Sequence, residues 1–175
     1  VDPYYYLSRM FLRWKGDTRK AREILGNAVR NKKSSSSDSI IIESNVLIDI
    51  YEGNYQAALK DVSLINYDVI QTHWYFRLKY LYYATIYGLM NKPELEHICY
   101  DSAVVFLQHR IVNMPDDPRF YSSLGMAYAG LGLKEKAIEA GKKGVELMPV
   151  NEDAVRGVSR AEDLALIYVM VGKYD

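Results

Sequence analysis

Cysteine is almost absent. Cys99 is the single one in 175 residues, so no internal disulfide framework can hold this chain. The cytoplasm is then the default expectation. Long hydrophobic runs are missing too. The longest candidate, residues 80–90, is too short to cross a bilayer, so no membrane span is expected. The chain opens with no charged–apolar–small leader pattern. It carries no excess of either charge: Lys+Arg and Asp+Glu are both 22. A nucleic-acid partner needs a cationic surplus to neutralise phosphates, and none is expected here.

The usual marks of chemistry are equally scarce. The three histidines, His73, His97 and His109, form no metal-ligand spacing, and no second cysteine completes a zinc set. His97 and Cys99 are two residues apart and so point to different sides of a helix. No phosphate-cradling GxxxxGK[ST] occurs; the glycines between Gly125 and Gly132 read as helix packing followed by a turn. Asp116-Asp117 and Glu152-Asp153 read as helix caps rather than acid/base pairs. No cofactor, no metal and no enzymatic activity are expected.

What is present is repetition. Residues 118–151 read PRFYSSLGMAYAGLGLKEKAIEAGKKGVELMPVN. Tyr121, Leu124-Gly125, Tyr128, Gly132, Ala137, Gly144 and Pro149 follow the W-x2-L-G-x2-Y…A…P pattern, with Tyr for Trp. Leu124, Gly125 and Tyr128 share a helical face. Gly125 and Ala137 are small enough for two helices to approach closely. Gly132 suits a left-handed turn between them, and Pro149 ends the second helix. Gly141 stands where a large residue is usual. Either a bulky neighbour fills that gap or something approaches the backbone there.

The turn signal recurs at Gly16, Gly53, Asn91, Gly132 and Gly172, spaced by 37, 38, 41 and 40 residues. Asp17, Asn54 and Lys92-Pro93 would open the helices that follow. This resembles the tetratricopeptide repeat (TPR) family. The expected fold is all-α, a right-handed α-α superhelix of about four helical hairpins plus one extra helix. Hairpins are expected near 3–32, 39–66, 71–113 and 118–149, with a partial fifth over 158–175. No strand is expected, and one helix should run over 71–90. Residues 32–39 read as a polar loop. The start at Val1 and the stop at Asp175 suggest an excerpt of a longer protein.

A narrower resemblance covers residues 101–175. Met114-Pro115-Asp116-Asp117-Pro118, the 124–132 run and the segment from Glu162 to Asp175 look like the C-terminal TPR arrays of bacterial multidomain signalling proteins. There the array follows a class III nucleotide cyclase, a Ser/Thr kinase or a winged-helix region. The resemblance implies a regulatory or scaffolding arm.

In this family the first helices of the hairpins line a concave groove. The matching register positions here are Tyr6, Met10, Arg13 and Trp14; Glu43, Leu47, Ile50 and Tyr51; and Arg119, Ser122, Met126, Ala129 and Gly130. Such a groove suits an apolar peptide or helix, from a partner or from the same polypeptide. Tyr6 and Met10 stand where the family's carboxylate clamp for chaperone tails needs Lys and Asn, so that mode is not expected. The alternative is a structural spacer, or a homo-oligomer formed by end-to-end stacking. The 16 tyrosines fit either packing between hairpins or anchoring a partner.

Overall fold

The computed structural model describes residues 3–31, 38–65, 67–71 and 76–173. The expected polar loop over 32–39 and the chain end at 174–175 lie largely outside them. The described helices are α1 (Pro3–Lys15), α2 (Thr18–Arg30), α3 (Asp38–Tyr51), α4 (Tyr55–Leu64), α5 (Lys79–Leu89), α6 (Pro93–Asn113), α7 (Pro118–Gly130), α8 (Lys134–Leu147) and α9 (Arg156–Met170). Consecutive helices pack as hairpins, α1/α2, α3/α4, α5/α6 and α7/α8, and α9 lies against both α7 and α8. The fold is an all-α, TPR-like array.

The turns explain why the chain doubles back where it does. Among the described residues, positive φ falls on Gly16 (61°), Gly53 (74°), Asn91 (54°), Gly132 (74°) and Gly172 (75°). Each of them ends a first helix. Glycine adopts this left-handed conformation without a Cβ clash, and asparagine is the next best tolerated. The following N–H then folds back onto an open carbonyl of the helix: Asn54 to Asp49 (2.8 Å), Lys92 to Tyr87, Leu133 to Tyr128 and Lys173 to Tyr168 (2.9 Å each). Start signals also match. Asp17 accepts the N–H of Lys20 at 2.8 Å, and Asp117 accepts that of Arg119 at 3.0 Å. Asp153 accepts those of Val155 and Arg156, and α9 begins sooner than its sequence suggests.

One expectation fails. The helix foreseen over 71–90 begins only at Lys79. Before it lie two short antiparallel strands, β1 (Val69–Gln71) and β2 (Phe76–Leu78), paired Val69↔Leu78, Ile70↔Arg77 and Gln71↔Phe76. The reason is local. Phe76 and Leu78 are buried and Arg77 between them is not, a period of two rather than 3.6.

The core is a chain of clusters, each shared by neighbours. Leu12, Ala21, Leu25 and Ile48 join the first two hairpins. Val46, Ala58, Val62, Ile65, Ile70, Tyr82 and Ile86 join the second to α5. Phe76, Leu78, Tyr100, Leu107, Phe120 and Leu124 belong to a third cluster, between the third and fourth hairpins. Ala129, Ala137, Ile167 and Val171 seat α9. Gly125 in α7 and Gly141 in α8 serve that seat. A Cβ on Gly125 would come 2.5 Å from Ile167 Cδ1 and 2.9 Å from the Ala137 carbonyl; on Gly141 it would meet Ile167 and Leu164. A bulky neighbour therefore fills the gap at Gly141. Gly144 lies equally close to Ser122 and the Pro118 carbonyl, and Gly157 lies against the backbone of Pro149.

Candidate partner-binding surface

Among the first helices α1 lies beside α3 and α7 beside α9, and polar side chains tie α1, α3 and α5 together. Arg9 on α1 donates to the Tyr5 hydroxyl (2.6 Å) and to Glu43 Oε1 (3.3 Å). Tyr5 donates to Glu43 Oε2 at 3.4 Å. Tyr82 on α5 makes a short hydrogen bond to Glu43 Oε1. Glu43, on α3, is wholly buried. Burial pushes its carboxyl pKa up, against the opposing pull of Arg9 and its hydroxyl donors. Tyr5 is pushed up to about 12, by burial first and by the Glu43 charge second.

Further along, Arg119 holds Asp117 through Nη2–Oδ2 (2.6 Å) and Nε–Oδ1 (2.9 Å), and its guanidinium lies over the Phe76 ring. Burial opposes ionisation of Asp117, yet this double hydrogen bond keeps its pKa below the usual carboxylate range. On α9, Arg160 and Asp163 form a nearly buried pair at 3.0 Å.

These contacts divide the groove candidates. Tyr6, Met10, Arg13 and Trp14 lie exposed on α1, Trp14 at 82%, and the Tyr6 ring rests edge-on against Tyr5. Tyr51 is exposed at 57%. The others, Gly130 apart, are turned inward. Glu43 sits inside the polar network, and Leu47 and Ile50 pack on the core. Arg119 is half-buried against Asp117, and Ser122 and Ala129 are buried. Met126 packs beside Ile167's cluster; Gly130 is exposed, though a Cβ there would meet the Tyr100 ring. The packing candidates Leu124, Gly125, Ala137 and Gly144 are buried; Tyr121, Tyr128 and Pro149 are half-buried, and Gly132 is an exposed turn. Tyr128 accepts a hydrogen bond from Gln108 at 3.0 Å.

Two features go beyond the sequence reading, the second only by adding Leu89 and Met170 to positions already named. The buried network uses Tyr5 and Arg9, one residue before the register positions taken for the groove. Its signal was the i, i+4 pairing of Tyr5 and Arg9, in step with buried Ser8 and Leu12. The second is a ladder. The residue two before each turn is Trp14, Tyr51, Leu89, Gly130 and Met170. All five are exposed, and four are large and apolar.

Chemistry finds little purchase. Among the described residues no group of three or more His, Cys, Asp or Glu could hold a metal ion, and no helix is long and apolar enough to cross a membrane. Burial pushes the Cys99 thiol pKa up, which disfavours the nucleophilic thiolate.

No protein-family model matches the chain, and no curated protein matches it. Among solved structures, the chain is similar to "MamA 41-end from Desulfovibrio magneticus RS-1", at 21% identity and a TM-score of 0.41, covering 98% of this chain and 95% of that one. It is also similar to the "MamA RS-1 ArsTM double mutant", at 20% identity and a TM-score of 0.37, with 98% and 94% covered. This likeness bears on no residue of the surface.

Proposed function

We propose that the chain is a protein-interaction module that holds an apolar helix or extended peptide against its first helices. The observation that carries this is the ladder Trp14, Tyr51, Leu89, Met170, interrupted only by Gly130. Large apolar residues left in water at one repeat position have no packing reason to recur there. Trp and Tyr are rigid anchors that bury much area at small entropic cost. On α1 the ladder widens into Tyr6, Met10 and Trp14, the i, i+4, i+8 spacing of one helix face. The arginines of α7 and α9, Arg119, Arg156 and Arg160, are each ion-paired, which favours an apolar occupant over an acidic one on those helices. The setting we propose is a regulatory or scaffolding arm of a bacterial signalling protein, supported by the resemblance of residues 101–175 to such arrays.

The test is selection of binding peptides from a displayed random library. The array should enrich apolar and aromatic sequences, and Trp14→Ala with Tyr51→Ala should remove that enrichment while far-ultraviolet circular dichroism stays unchanged. Undiminished enrichment by the double variant, or selection of charged sequences alone, would sink the assignment.

A further inference from the structure

Charge is divided unevenly along this neutral chain. Residues 3–30 carry seven Lys and Arg against two acids, Asp17 and Glu23, while residues 38–65 carry one cation, Lys60, against five acids. Contact between the first two hairpins cancels part of the excess. Arg9 pairs with Glu43, and Arg22 pairs with Asp49 and Glu52. Lys20 pairs with Glu23, and Asp17 caps α2. Arg13, Lys15, Arg19 and Arg30 are exposed, and among the described residues none of them meets a carboxylate. Helix dipoles account for some of these cations, since Arg13 and Lys15 close α1 and Arg30 closes α2. They do not account for Arg19 and Lys20. Both stand in the first turn of α2, where a helix favours acids and this one has none.

The unpaired cations adjoin the apolar ladder. Arg13 follows Tyr6 and Met10 at i, i+4, i+7 on one face of α1, next to exposed Trp14. A segment lying on those anchors therefore meets positive charge as well. We infer that the segment held by the first helices, a stretch of a partner protein, is acidic where it crosses the first hairpin and apolar beyond it. This rests on the peptide-binding reading and adds the charge pattern of the partner. Length decides against other polyanions. Each helix of the first hairpin has 13 residues, about 20 Å at 1.5 Å per residue. A nucleic acid or an anionic bilayer extends further and would run on to the second hairpin, where acids outnumber cations five to one. A short acidic stretch ends before that. Beyond it, the ion-paired arginines of α7 and α9 call for apolar contact. The carboxylates would also steer the encounter and fix which end of the segment meets α1.

Peptide selection from a displayed random library tests this. The native array should enrich sequences in which Asp or Glu stand beside an aromatic and aliphatic stretch. Arg13→Glu with Arg19→Glu should exchange those acids for Lys and Arg and keep the apolar stretch. Lys142→Glu, exposed on α8, should leave the preference as it is. All three substituted positions face water, and circular dichroism shows that each variant keeps its helices. Affinity for the most enriched peptide, made synthetically, should fall about tenfold when NaCl is raised to about 0.5 M. Enriched peptides that are apolar and free of acids would overturn this inference and leave the peptide-binding reading standing. No enrichment at all would sink both. A preference unchanged in the double variant would also overturn it. So would tighter binding to phosphatidylserine vesicles, or to a single-stranded oligonucleotide, than to the selected peptide.

Discussion

Tyr82 on α5 gives its hydroxyl hydrogen bond to Glu43 on α3, and Glu43 is in turn bound by Tyr5 and Arg9 on α1. One buried carboxylate thus fastens three successive first helices. Glu43→Ala removes the shared acceptor and should cost about 3 kcal/mol in urea unfolding, since breaking a buried charged cluster is expensive. Tyr82→Phe removes one donor only and should cost about 1–2 kcal/mol. Equal, small losses for both would show that the network does not hold the hairpins together.

Alkaline pH should loosen this network and the cluster around Tyr100. Tyr5 and Tyr100 are raised from the ordinary 10.0 to about 12, and Tyr82 well above 10, all mainly by burial. A phenol whose folded pKa exceeds its unfolded one stays neutral in the fold while the unfolded chain ionises. Its contribution is therefore complete below 10.0 and is lost as pH rises from there toward 12. Unfolding midpoints should fall across that window, and tyrosinate absorbance should lag behind exposed phenols until the helices melt. Tyrosines that all ionise together in an intact fold would contradict this.

Glycines with the same helical setting should respond oppositely to alanine. Gly26 in α2 has open space where its Cβ would stand, so Gly26→Ala should stabilise by about 0.5–1 kcal/mol from helix propensity. At Gly125 the new methyl meets Ile167 and the fixed Ala137 carbonyl, and Gly125→Ala should destabilise by about 1–3 kcal/mol. Gly141→Ala is crowded by two side-chain ends, Ile167 Cδ1 and Leu164 Cδ1, with the nearest backbone atom of α9 at 3.9 Å, and should cost less. Thermal melts of the three variants give the order directly.

The turns offer a matched pair. Asn91 is the one non-glycine at positive φ among the described residues. Asn91→Gly should gain up to about 1 kcal/mol, and Gly132→Ala should lose about 1–2 kcal/mol. A loss at Asn91→Gly would mean that its side chain matters more than its backbone.

These turns were the most legible part of the sequence. Each was visible because a residue type alone, glycine or asparagine before a polar helix start, marks a backbone that other residues avoid. Trp14 and Tyr51 were legible for a related reason: register is counted from the turn, and both stand two residues before it. Glu43 was not. Its place in the register suggested an open surface, and only the arrival of Tyr5 from α1 and Tyr82 from α5 closes over it. Contacts between distant segments leave no local periodicity. The strands at Val69–Gln71 and Phe76–Leu78 were hidden differently, by being too short for alternation to stand out beside the aromatic helix that follows.

That strand pair also joins two of the clusters. Ile70 is anchored in the cluster of the second hairpin, while Phe76 and Leu78 are anchored in the cluster of the third and fourth. Elsewhere, neighbouring units meet through side chains on helix faces, the Glu43 network among them. Here a cross-braced piece of main chain is pinned at both ends in hydrophobic sockets. The second hairpin and the junction of the third and fourth therefore share one short covalent element, so a substitution in either strand touches two clusters at once.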